Sequence, residues 1–188
     1  VVNTPDGERP YNDLDFVIIV KDDLPGIASL LLLISEKYHR ILGIDVDFSR
    51  PLTVENIRNW PQWLMWTDLL GGHRVIEGPS DVLTANTPAF LRESPPLIEA
   101  TRLMLNRGAG LLWATLVLRG DVPSPDPGFV IRNLHKCALA MGDAVIIKNA
   151  RHQVRYEGRD AILADLESRD VAARELHLLD RYRAALSF

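Results

Sequence analysis

The sequence predicts an α+β fold in two parts, a strand–helix–strand region followed by an all-helical one, and three observations carry that expectation. Two short acidic strings, Asp13-Leu14-Asp15 and Asp45-Val46-Asp47-Phe48, alternate carboxylates with apolar residues at the two-residue period of a strand. Between them, Ile27, Leu30, Leu31, Ile34, Tyr38, Ile41 and Leu42 recur at the three-to-four spacing of an amphipathic helix. Beyond Pro95-Pro96 the spacing is helical almost throughout.

In chain order, residues 1–12 are polar and turn-rich (Asn3, Pro5, Asp6-Gly7, Pro10), so they read as a loop leading into the first strand. Phe16 to Val20 is continuously apolar, which suits a strand covered on both faces. The helix from Pro25 to Leu42 ends at Gly43, and Ile44 to Phe48 forms the second acidic strand, placed to neighbour the first. Trp60, Trp63 and Trp66, broken by Pro61, read as helix packing. Gly71-Gly72 turns the chain, His73 to Ile76 reads as a short strand, and Ser80-Asp81 starts a brief helix. Leu97 to Leu118 and Phe129 to Lys148 predict two long helices forming an antiparallel pair, with the proline-rich turn of residues 123–128 between them. Two further helices are expected over Arg159 to Ser168 and Val171 to Ala185, so the division falls as 1–92 and 93–188.

With 188 residues and 47% hydrophobic content the chain can bury a sizeable core. A net charge of -4 offers no general attraction to nucleic acid, which makes a long polynucleotide a less favoured partner than a small polyanion. The single cysteine, Cys137, excludes an internal disulfide and fits a reducing, cytoplasmic setting. The longest apolar run of the first half, Leu30 to Ile34, is far short of a membrane span, so no membrane partner is expected. A start at Val1-Val2, without Met or a leader pattern, suggests the interior of a longer protein.

Within each acidic string the carboxylates share a strand face, and clustered carboxylates repel unless a cation lies among them. Hard oxygen donors around an open site suit Mg²⁺ holding a substrate phosphate. The residues Asn12-Asp13-Leu14-Asp15-Phe16-Val17-Ile18, then a helix, then Gly43-Ile44-Asp45-Val46-Asp47-Phe48-Ser49, resemble the nucleotidyltransferase superfamily typified by DNA polymerase beta, noncanonical poly(A) polymerases and aminoglycoside nucleotidyltransferases. The resemblance implies a nucleotidyltransferase-like mixed sheet with flanking helices, followed by a C-terminal helical bundle. It further implies that Asp13, Asp15 and Asp47 are catalytic and bind Mg²⁺ (or Mn²⁺), with Asp45 as the alternative third carboxylate. The implied reaction moves a nucleoside monophosphate from a nucleoside triphosphate to a hydroxyl of a small molecule or protein. More weakly, 100–112 (with 105–112 reading LNRGAGLL) and 132–144 are similar to the helical region of bacterial members. One departure is that residues 1–12 lack the Gly-Ser turn that in this family holds the triphosphate. Without that turn, a catalytically silent module of the same fold, such as an antitoxin or regulatory partner, is the rival expectation; an ordinary α/β scaffold with the acids in salt bridges to Lys21, Arg50 or Arg74 is a third.

In the helical half, Arg107 falls on the apolar stripe Ala100, Leu103, Met104, Leu111. A permanent cation there must find an anion, either a structural carboxylate or a phosphate or acceptor group. Asn133, Lys136 and Asp143 are expected on one polar helix face, opposite Val130, Leu134, Cys137, Met141 and Val145, with Lys136 facing phosphate. Arg107, Asn133 and Lys136 are thus the candidate nucleotide contacts. The histidines lack the i, i+4 spacing of a zinc site, and the chain contains neither a Walker A loop, a dinucleotide fingerprint nor a nucleophile turn.

Overall fold

A computed structural model describes residues 2–4, 7–9, 13–22, 25–169 and 171–188. The fold is α+β, with short strands confined to the first part and helices dominating the rest. The chain divides into two compact units, residues 1–60 with 77–88, and residues 61–76 with 89–188. The segment 61–76, which sequence order places before the expected division at 93, therefore packs with the helical unit.

In the first unit, β1 (Val2–Thr4) and β2 (Gly7–Arg9) pair antiparallel within the stretch expected to be a loop. Strand β3 (Asp13–Phe16) pairs in parallel with β5 (Asp45–Phe48), and β4 (Ile19–Val20) with β6 (Leu52–Thr53). Parallel neighbours require a crossover, and helix α1 (Ile27–Leu42) supplies it. Gly43 ends α1 in the left-handed conformation (φ 69°), returning its N–H to the His39 carbonyl at 2.9 Å.

The expected continuous strand 16–20 is interrupted at 17–18, and the interruption has a visible cause. Phe16 faces Phe48 while Ile19 faces Leu52, so the second strand carries one extra residue, as in a bulge. Pro51 lies in that excursion and has no N–H to offer the ladder. Ser49 bridges the gap: its N–H donates to the Phe16 carbonyl at 2.8 Å, and its hydroxyl accepts the Ile18 N–H at 3.1 Å. Among the described residues the strands thus make three two-stranded sheets, where one open mixed sheet was expected. The expected strand at His73 to Ile76 is also irregular; its first residue terminates a helix, with the His73 ring against the Leu69 and Leu70 carbonyls.

Helix α2 (Val54–Arg58) opens with a capping box, in which Thr53 Oγ1 accepts the Asn56 N–H and Asn56 Oδ1 accepts the Thr53 N–H. It buries Ile57 and packs against α4 (Val82–Asn86), linked by the Arg58–Asn86 hydrogen bond of 3.2 Å.

The second unit is built on α5 (Leu97–Leu118) and α6 (Phe129–Lys148), which lie side by side with the bounds read from the sequence. Gly110 allows their close approach, since a Cβ there would collide with the Asn133 amide. Helix α3 (Leu64–Gly72) lacks a capping side chain of its own; instead Glu99 of α5, 4% exposed, accepts the Leu64 N–H at 2.8 Å. The expected last helix is broken in two, α8 (Val171–Glu175) and α9 (Leu178–Leu186), by His177 in the left-handed region. Ile146, Leu163, Leu178 and Tyr182, from α6, α7 (Arg159–Glu167) and α9, form the centre of the core. Among the described residues no helix is long and apolar enough to cross a membrane.

Candidate functional site

The parallel register sets Asp13 beside Asp45 and Asp15 beside Asp47. Alternation then does the rest: the four carboxylates occupy the exposed face, while Leu14 and Val46 point the other way. The Phe16 and Phe48 rings stack at 5.2 Å between centroids and 22° between planes, fixing the two strands laterally. From α1, the Ser35 hydroxyl donates to the Val46 carbonyl and ties β5 to the helix. The two acidic strings are thus neighbours, as the sequence suggests.

Partial burial and the charges of Asp13 and Asp47 hold the Asp15 carboxyl above the usual aspartate range. The acidic face therefore costs the protein free energy when fully ionised. Asp45 is partly compensated, because His39 Nδ1 lies 3.1 Å from its Oδ1 and 3.1 Å from the Ile44 carbonyl. The neighbouring cavity of about 310 Å³ is lined by Ser35, Glu36, His39, Arg40, Asp45, Val46 and Asp47. The four strand carboxylates offer the oxygen donors that suit a hard divalent cation, while His39 and Arg40 share the cavity wall. As the side chains stand, no three His, Cys, Asp or Glu groups among the described residues converge tightly enough to hold one.

The remaining candidates belong to the helical unit. Arg107 is half-buried on α5 and makes no ion pair among the described residues. Its charge reaches Tyr156, whose hydroxyl is pushed up by burial, Asp143 and Asp68 and pulled back by Arg159 and Arg107.

The reading of α6 as one polar and one apolar face is corrected. Lys136 is exposed, Asn133 is half-buried against Gly110 and donates to the Phe129 carbonyl at 2.8 Å, and Asp143 is 5% exposed. Leu134, assigned to the apolar face, is 51% exposed. The reason is a second charge: Asp143 is drawn inward by Arg159, 2% exposed, whose Nη1 donates to it at 2.8 Å, and by the Tyr182 hydroxyl at 2.7 Å. Arg159 also donates to the carbonyls of Gln153, Val154 and Arg155 and lies over the Tyr156 ring at 4.2 Å. Burial alone would lower its proton affinity, but the adjacent Asp143 carboxylate leaves it raised. Asp143 is accordingly part of a fully paired buried network, as buried charges must be.

Sequence reasoning missed another pair. His152 has a side chain 2% exposed, and its Nε2 meets Asp68 Oδ1 at 2.8 Å. The two lie 84 positions apart, and no local spacing signals them.

Compared with family models, with curated proteins and with solved structures, the chain matches none.

Proposed function

We propose that the face formed by Asp13, Asp15 and Asp47 is the Mg²⁺ (or Mn²⁺) site of a nucleotidyltransferase that moves a nucleoside monophosphate from a nucleoside triphosphate to a hydroxyl of a small molecule or protein. The observation that carries the reading is the register, which brings two i, i+2 carboxylate pairs to one exposed face and leaves Asp15 reluctant to ionise. A divalent cation bound there would neutralise triphosphate charge and favour deprotonation of the acceptor hydroxyl. In the reaction the acceptor oxygen bonds to the α-phosphorus as the bond to pyrophosphate breaks, and the hydroxyl proton is lost. Asp13, Asp15 and Asp47 would hold the cation; Asp47 is the better third ligand because His39 engages Asp45. Arg107, half-buried on α5, and Lys136, an exposed cation of α6, are the candidate anion contacts of the helical unit.

The rival is a silent module of the same kind, favoured by the carboxylates' failure to converge as they stand. Pyrophosphate release with Mg²⁺ and each nucleoside triphosphate separates the two. The Asp13→Asn/Asp15→Asn variant should abolish it; undiminished turnover would sink the enzymatic reading. Absence of both turnover and Mg²⁺-dependent nucleotide stabilisation in the unaltered chain supports the silent module.

A further inference from the structure

Residues 61–76 lie in sequence between two stretches of the first unit yet belong to the helical one, so both ends of the segment coincide with crossings of the chain between units. Its helix, α3, is held more by polar contacts than by apolar burial. Thr67 is buried, but Leu64, Trp66, Leu69 and Leu70 are half-buried and Met65 is 57% exposed. Ile146, Leu163, Leu178 and Tyr182, at the centre of the core, are by contrast 0–2% exposed. At the front of α3 the Gln62 amide donates to the Phe90 carbonyl at 3.2 Å, and Glu99 of α5 accepts the Leu64 N–H. At the back Asp68 meets His152, and Gly71 lies so close to Val154 that a Cβ on residue 71 would come within 2.4 Å of the valine Cγ2. A helix attached in this way opens at a free energy well below that of the core.

We infer that α3 is a strap that closes over His152 and lifts as one piece from the helical unit, uncovering that imidazole while α5, α6, α7 and α9 stay folded. The state of His152 supports this. Its side chain is 2% exposed and its Nε2 faces Asp68, whereas Nδ1 is buried without a hydrogen-bond partner among the described residues. A sealed polar atom forfeits the bond that water would give it, so the closed arrangement carries a standing cost that solvent relieves when the helix lifts. Each latch is also replaceable by water. The Asp68 side chain is 40% exposed, so solvent already reaches one partner of the rear latch. Glu99 keeps its ion pair with Arg102 when α3 leaves, because both belong to α5, and water takes over the Leu64 N–H. The two latches are coupled through the helix itself. From Leu64 to Gly71 the rise is about 10 Å of continuous helix, so loosening the front at Glu99 loosens the back at His152.

Hydrogen exchange of the full chain, read by mass spectrometry at pH 7, should show the amides of 64–72 exchanging at least about tenfold faster than those of α6. Glu99→Ala removes the front latch and should speed exchange of 64–72 by about fivefold, leaving α6 unchanged. The same variant should raise the rate at which diethyl pyrocarbonate modifies His152, although Glu99 holds the other end of the helix. In the G71C/V154C variant an oxidised cross-link should suppress both the exchange and the modification, and reduction should restore them. Amides of 64–72 as well protected as those of α6 in the unaltered chain would overturn the inference without recourse to any variant. So would a His152 whose reactivity is indifferent to Glu99→Ala, or one that reacts in the cross-linked chain as fast as in the unaltered one.

Discussion

Replacing Asp15 by Asn tests the physical basis of the acidic face, because the order of stability should invert with Mg²⁺. Adjacent strands lie about 4.8 Å apart, so the Asp15 and Asp47 charges repel by about 0.9 kcal/mol in water and about 3.5 kcal/mol at an effective dielectric of 20. Exposure of both groups favours the lower figure, which lies within the ~0.2–1 kcal/mol scale of cross-strand side-chain pairs, with like charges directly opposite acting to destabilise. The sign follows from linkage. Asp15 has a folded-state pKa above its unfolded value, so its ionisation weakens the fold; the cost is absent below the unfolded aspartate range and develops as pH rises through the raised value. Without divalent cation, D15N should therefore melt higher than the unaltered chain at pH 7, by about 2–8 °C for a unit of this size, and the gap should close in acid. With Mg²⁺ at ten times its dissociation constant, the unaltered chain should gain about 1.4 kcal/mol and overtake the variant. Differential scanning calorimetry at pH 3.5 and 7, with and without Mg²⁺, reads all four corners. A D15N protein that melts lower than the unaltered chain in the absence of cation would refute the repulsion argument, and an unaltered chain indifferent to Mg²⁺ would refute the site.

The helical unit gives sharper stability expectations. Asp143→Ala should cost about 3–5 kcal/mol in urea unfolding, because it leaves the buried Arg159 charge without its carboxylate, whereas Tyr182→Phe should cost about 1.5–3 kcal/mol for one lost bond to a charged group. Equal effects of the two would contradict that ranking. Gly142→Ala should destabilise by about 1–3 kcal/mol, since its Cβ would collide with the Tyr182 ring and press on Leu163; a thermal melt within a degree of the unaltered chain would show that α9 yields freely.

What could be read from the residues divides along a physical line. Helices α5 and α6 match their expected bounds because long three-to-four patterns, each opened just after a proline, leave little freedom. The acidic strands were legible as neighbours because a short crossover helix returns the chain to the adjacent position. The interruption at 17–18 was not legible, since it arises from Pro51 and Ser49 on the partner strand. Amphipathicity also misplaced Asp143 and Leu134, for periodicity assigns charge to the outside and cannot see that Arg159 waits sixteen residues on. The packing of 61–76 with the later helices was hidden for the same reason: its determinants, Glu99 at the start of α3 and His152 beside Asp68, lie in distant sequence.

The buried guanidinium of Arg159 has a wider consequence than the ion pair it makes. By gathering the carbonyls of Gln153, Val154 and Arg155 around one planar cation, it makes the path of a connecting segment depend on a side chain that follows it in the chain. The same cation is joined through Asp143 to Tyr182 near the C-terminal end. A loop that would ordinarily be free to change length or composition is thereby bound into the same cooperative event as the last helix, so that tolerance to insertion ends where the reach of one arginine begins.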